Sequence, residues 1–71
     1  MSESKSDKFK RLAEQRGNHV LHYLRLLSNL SNKSNYDYAE SEVKSMFVAI
    51  EQQLRITKQS FSDDNPKKIR L

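Results

Sequence analysis

Two apolar stripes of nearly equal length, separated by a run of Asn and Ser, constrain this chain more than any other feature. The first runs from Asp7 to about Asn29 and places Phe9, Leu12, Ala13, Val20, Tyr23, Leu24, Leu27 and Leu30 at steps of three and four residues. That is the repeat of one face of an α-helix. The second, about Ala39 to Phe61, carries Val43, Met46, Phe47, Ile50, Leu54, Thr57 and Phe61. Its positions 43, 47, 50, 54, 57 and 61 alternate steps of four and three, an a/d pattern over almost three heptads. Each segment of about 22 residues is roughly 33 Å long when helical. Between them, SNLSNKSNYDY (residues 28–38) is dense in side chains that compete for backbone hydrogen bonds and favour turns and caps. With one Gly, one Pro and few β-branched residues, a sheet has little support. The expected fold is all-α, an antiparallel two-helix hairpin with Leu27 near Val43, Val20 near Ile50 and Phe9 near Phe61.

The boundaries follow from the same pattern. Residues 1–6 are polar and Ser-rich, a flexible N-terminus. Residues 7–61 form the hairpin domain, with helices over about 7–29 and 39–61. Residues 62–71, SDDNPKKIRL, make a basic tail after the only proline. Asp37 and Glu40 stand in a D-x-x-E variant of the capping box at the start of the second helix.

A chain of 71 residues and 8.4 kDa holds one domain. A chain this small buries only about 60% of its unfolded surface, so a lone core is marginal. The helical wheel supplies what is missing. At about 100° per residue, Leu12, His19, Leu26 and Leu30 drift to one flank of the first stripe, and Met46, Ala49 and Ile56 to one flank of the second. In an antiparallel hairpin these flanks face the same way. The opposite side carries Lys10, Glu14, Gly17 and Ser28 with Glu40, Lys44, Glu51 and Lys58, and is solvated apart from Leu21. A one-sided apolar strip on so small a domain marks an interface. The simplest use of it is a dimer that forms a four-helix bundle.

Composition excludes several classes. The absence of cysteine removes disulfide stapling and thiolate metal sites, and suits a reducing cytoplasm. No apolar run approaches the roughly 20 residues that span a bilayer, so no membrane role is expected. Met1–Asp7 lacks the apolar stretch of a signal peptide, which leaves the sequons at Asn29 and Asn32 without a glycosylation context.

Among single residues, Arg16 stands out because it falls inside the first stripe, where an unpaired charge is costly. Either it meets a carboxylate or phosphate of a partner, or it snorkels past the stripe and pairs with Glu51 or Gln53 at a similar height. His19 and His22 have the i, i+3 spacing of a shared metal, yet the sequence offers no third Cys or His ligand. No metal or cofactor is expected. Gly17 sits mid-helix at a cost of about 1 kcal/mol relative to Ala, either tolerated or kept for close approach of another chain.

The most distinctive local feature is the series Asn29, Asn32 and Asn35 with Tyr36 and Tyr38. It either presents amides and phenols for recognition or caps the first helix and shapes the turn. Basic residues cluster at Lys8, Lys10 and Arg11 and again at Lys67, Lys68 and Arg70, which a hairpin brings to one end. Such a patch suits phosphates. Against that, a net charge of +4 is modest and no helix-turn-helix signature is present. Catalysis has weaker support still. One glycine makes no phosphate loop, two histidines beside serines make no triad, and a two-helix chain lacks the walls of a water-excluding pocket.

The expected function is therefore non-enzymatic protein–protein contact, as a homodimer or as a small subunit or regulator of a larger bacterial complex. Leu12, Arg16, His19, Leu26, Met46, Ala49 and Ile56 are its candidate contact residues. The rivals are a nucleic-acid accessory protein using the basic termini, and an inhibitor or immunity-type protein that blocks a partner enzyme.

The run Arg11-Leu12-Ala13-Glu14-Gln15-Arg16, then Leu24-Arg25-Leu26, then Leu30-Ser31-Asn32-Lys33-Ser34-Asn35-Tyr36 with Tyr38, Val43 and Phe47, resembles a group of small bacterial and mobile-element proteins. They share an R-L-A-x-x-R start and an L-S-N-x-S-N-Y-x-Y centre. The likeness covers roughly residues 9–61, and the central motif is its specific part. It implies a bacterial, cytoplasmic setting and brings no activity with it. The chain departs from the pattern at Ala39, where a Thr-type helix cap is expected.

Overall fold

The structure is a computed structural model that describes residues 2–62. Those residues form two α-helices and no strand, α1 (Lys5–Asn29) and α2 (Glu40–Ser60). The chain divides between Asp37 and Tyr38 into two units, each built on one helix.

In the first unit α1 starts earlier than the expected position 7. Ser4 is its N-cap, and its Oγ accepts from the Asp7 backbone N–H at 3.0 Å. The Ser4 carbonyl takes the Lys8 N–H at 2.9 Å. Ser4-Lys5-Ser6-Asp7 is thus an S-x-x-D start inside the segment that looks frayed from composition. Asp7 adds a negative charge in the first turn, where the helix dipole favours one. The helix runs 25 residues, about 37 Å.

It ends without a glycine. Leu30 stays right-handed at the C-cap and donates to the Leu27 carbonyl at 3.0 Å, while Ser31 donates to Ser28 at 3.0 Å. No described residue has positive φ. The exit is a tightening of the last turn rather than a left-handed cap.

In the second unit the cap is Ala39, extended at φ −94° and ψ 152°. Alanine has no side-chain oxygen, so only the reciprocal half of a capping box exists. Glu42 reaches back and its Oε1 accepts from the Ala39 N–H at 2.8 Å. The pair is Ala39 with Glu42 rather than Asp37 with Glu40, and α2 spans 40–60 rather than 39–61. Glu40 and Glu42 in the first turn and Lys58 in the last complement the helix dipole. Phe61 closes the helix by donating to the Lys58 carbonyl at 3.1 Å.

No described residue of either unit is buried. Leu12 and Leu27 in α1, Tyr38, and Val43, Met46 and Ile50 in α2 are half-buried. Lys67, Lys68, Arg70 and the tail boundary lie outside the described residues, as does Pro66.

Candidate protein-interaction surface

The C-terminal turns of α1 and the segment after it build an open apolar cleft. Its apolar lining is Tyr23, Leu26, Leu27, Leu30 and Tyr36, and Asn29 also lines it. Four of these come from helix spacing, since residues 23, 26, 27 and 30 recur at i, i+3, i+4 and i+7. The fifth, Tyr36, depends on a turn that Asn32 organises.

Asn32 works through two oxygens. Its side-chain Oδ1 accepts from the Ser34 N–H at 2.9 Å, an Asx-turn. Its backbone carbonyl accepts from Asn35 N–H at 3.1 Å and from Tyr36 N–H at 3.0 Å. The chain curls around this one residue, and the Tyr36 ring becomes a wall of the cleft. Of the predicted loop residues, Asn29 and Tyr36 meet at the cleft and Asn32 and Asn35 build the turn beneath. Tyr38 begins the second unit and is half-buried.

Of its lining residues, Leu26 and Leu30 belong to the flank that carries Leu12 and His19, and Tyr23 and Leu27 to the first stripe. Leu26 is 42% exposed and Leu30 44% exposed. On α2, Met46 is half-buried, Ala49 is exposed, and Ile56 is 55% exposed. Thr57, the polar member of the second stripe, turns its hydroxyl inward along the helix. That hydroxyl donates to the Gln53 carbonyl at 2.8 Å and accepts from the Gln53 side-chain amide at 3.2 Å.

Within its own unit Arg16 makes no hydrogen bond or ion pair among the described residues, and it is exposed. His22 stacks edge-on against Tyr23, ring centroids 5.5 Å apart. Among the described residues no three His, Asp or Glu side chains gather as a metal site would need. No helix of the described residues is long and apolar enough to cross a membrane.

In the basic N-terminal cluster, Arg11 is already engaged. Its Nε and Nη2 donate to Glu3 at 3.0 and 3.1 Å, which offsets one of the three charges the cluster offers a phosphate. Lys8 and Lys10 are exposed.

The sequence pattern assigned Tyr23 and Leu27 to the stripe and missed that they also wall a cleft with Tyr36. The signal was available in the Asn32-x-Ser34 Asx-turn pattern, which brings the chain back toward the helix it has just left. No protein-family model, curated protein or solved structure matches the chain.

Proposed function

We propose that this chain is a non-enzymatic protein–protein interaction module that works as a homodimer, two antiparallel hairpins forming a four-helix bundle. The observation that carries the reading is that each helix has two apolar faces and neither is buried in its own unit. The main stripes of the two helices suit each other in the hairpin. That leaves Leu12, His19 and Leu26 with Met46, Ala49 and Ile56 as a second strip about 80° to 90° away. This is the right angle at which a square bundle presents its next face. Arg16 sits at the edge of the strip. The rival nucleic-acid reading has one observation against it, that Arg11 of its N-terminal cluster is already paired with Glu3.

The test is molar mass in solution by light scattering on a sizing column, over a tenfold range of concentration. A mass near twice 8.4 kDa supports the reading. Leu26→Asp then dissociates the dimer and lowers stability, whereas Leu21→Asp on the opposite side does neither. A folded monomer at every concentration sinks self-association and leaves the strip to a different protein. Equal behaviour of the two variants sinks the assignment of faces.

A further inference from the structure

We propose that the polar side of α1 docks on duplex DNA, with Gln15, Asn18 and His22 turned to base edges and the cations on either side of them to phosphates. The inference goes beyond the self-association reading, since it concerns another side of α1 and a different class of partner. It places the contact along the helix instead of at the two basic termini.

Lys8, Arg11, Gln15, Asn18, His22 and Arg25 follow one another at alternating steps of three and four. On a helix that period holds them within a sector of about 100°. The sector is edged by Leu26 on one side and by the carboxylates of Asp7 and Glu14 on the other. Its centre lies about 150° around the helix from the stripe of Phe9, Val20 and Leu27, so a partner that covers the stripe leaves this side open. All six residues are exposed.

Every member of the series carries a side-chain N–H donor, and none is a carboxylate. Among the described residues of the first unit, only Arg11 of the six has a hydrogen bond or ion pair from its side chain, to Glu3. A row of unanswered donors with positive charge suits a ligand rich in acceptors and negative charge. The order along the row says which. Lys8 and Arg11 stand at one end and Arg25 at the other, with uncharged side chains between them.

An anionic bilayer does not fit that order. It answers to charge alone, so Gln15 and Asn18 add nothing, and a helix lying on it buries the apolar side and turns this one to bulk water. Duplex DNA uses both kinds of group. Phosphates take the Lys and Arg side chains, and carboxamides pair with adenine edges in the major groove. Arg11 and Arg25 are about 21 Å apart along the helix, and the groove is about 12 Å wide. The cations at the two ends therefore overlap the flanking backbones while the amides lie over the bases. Glu3 is the internal competitor for Arg11. Its ion pair is solvent-exposed and weak enough for a phosphate to displace.

The test is fluorescence anisotropy of the full chain with a labelled mixed-sequence DNA duplex, over a range of salt. Three phosphate contacts give a log–log salt slope of about −2.7. Arg25→Gln weakens binding about fivefold and makes the slope shallower by about 0.9, whereas Lys10→Gln removes the same charge from outside the sector and changes affinity by less than about twofold. Glu3→Gln tightens binding about threefold at low salt by releasing Arg11. The double change Gln15→Ala and Asn18→Ala, which favours the helix, weakens binding about threefold at an unchanged slope. Circular dichroism confirms that each variant keeps its helices. Equal losses from Arg25→Gln and Lys10→Gln, or an unaffected double variant, reduce the binding to unplaced charge and overturn the proposal. So do absence of binding at low salt and binding to poly-glutamate as tight as to the duplex. None of these outcomes alters the molar mass measurement, so self-association stands or falls separately.

Discussion

Glu3 and Arg11 form a two-point ion pair over the start of α1, with guanidinium–carboxylate distances of 3.0 and 3.1 Å. The pair spans eight residues and ties the segment before the cap to the second turn of the helix. Both side chains stay in contact with water, Arg11 at 55% and Glu3 at 35% exposure. The contribution is therefore below about 1 kcal/mol despite the favourable fork geometry. Glu3→Gln lowers the thermal midpoint by a few degrees at low salt and has no effect in high salt, where the wild-type pair is already screened. Ser4→Ala removes the side-chain acceptor for Asp7 N–H and costs about 1 kcal/mol at any salt concentration. Circular dichroism melts at two ionic strengths check the contrast. A salt-independent Glu3→Gln effect means that the segment is held by something other than this pair.

Ala39 leaves half of a capping box empty. The Glu42 carboxylate already serves the Ala39 N–H at 2.8 Å, but no side-chain oxygen answers from the cap position. Ala39→Ser supplies one, in backbone that is already extended as a cap requires. The expected gain is about 1 kcal/mol, a rise of roughly 4–8 °C in the melting midpoint of a domain this size. Glu42→Ala lowers the midpoint, and the two changes together are less than additive because they serve one box. An Ala39→Ser midpoint equal to wild type shows that the cap does not limit α2.

These two ends also show where the helices were legible in the sequence and where they were not. The interior of each was plain, because Val43, Phe47, Ile50 and Leu54 or Val20, Leu24 and Leu27 repeat with a period that only a helix satisfies. The ends depend on single hydrogen bonds. At Ser4 a Ser-x-x-Asp cap was hidden in a Ser-rich stretch whose composition suggests fraying, and at Ala39 a residue that cannot accept a bond is the cap all the same. Glu42 made that possible from three residues away. For the surface, the flank of Leu12, His19 and Leu26 followed from spacing alone. The cleft did not, since Tyr36 joins it through the fold of a turn, and turn geometry carries no hydrophobic period.

Gly17 has open space around it. A Cβ built at that position meets nothing within 4 Å, and its backbone is ordinary helix. Gly17→Ala therefore raises helix stability by about 1 kcal/mol, through lower backbone freedom in the unfolded chain. It lies on the side away from the proposed interface strip, so the same substitution leaves the dimer dissociation constant unchanged. Melts and concentration-dependent light scattering on one sample read both quantities. A gain in stability with loss of dimer means that another chain approaches closely at Gly17, and the contact face is then on that side.

Asn32 is the residue on which the cleft depends. Its Oδ1 takes the Ser34 N–H at 2.9 Å, and its carbonyl takes two further N–H groups, including that of Tyr36 at 3.0 Å. Asn32→Ala keeps the carbonyl and removes the Asx-turn, at a cost of about 0.5–1.5 kcal/mol to the turn. α1 itself ends before this residue and keeps its helicity. What is lost is the position of the Tyr36 ring, so nuclear Overhauser contacts between Tyr36 and the methyl groups of Leu26 and Leu30 weaken or vanish. Asn32→Asp retains an acceptor oxygen at the same place and preserves them. Where the proposed dimer uses this hollow, Asn32→Ala also weakens self-association severalfold while Asn32→Asp does not. Loss of the tyrosine contacts with dimerisation intact would mean that the turn shapes the cleft but the dimer does not use it.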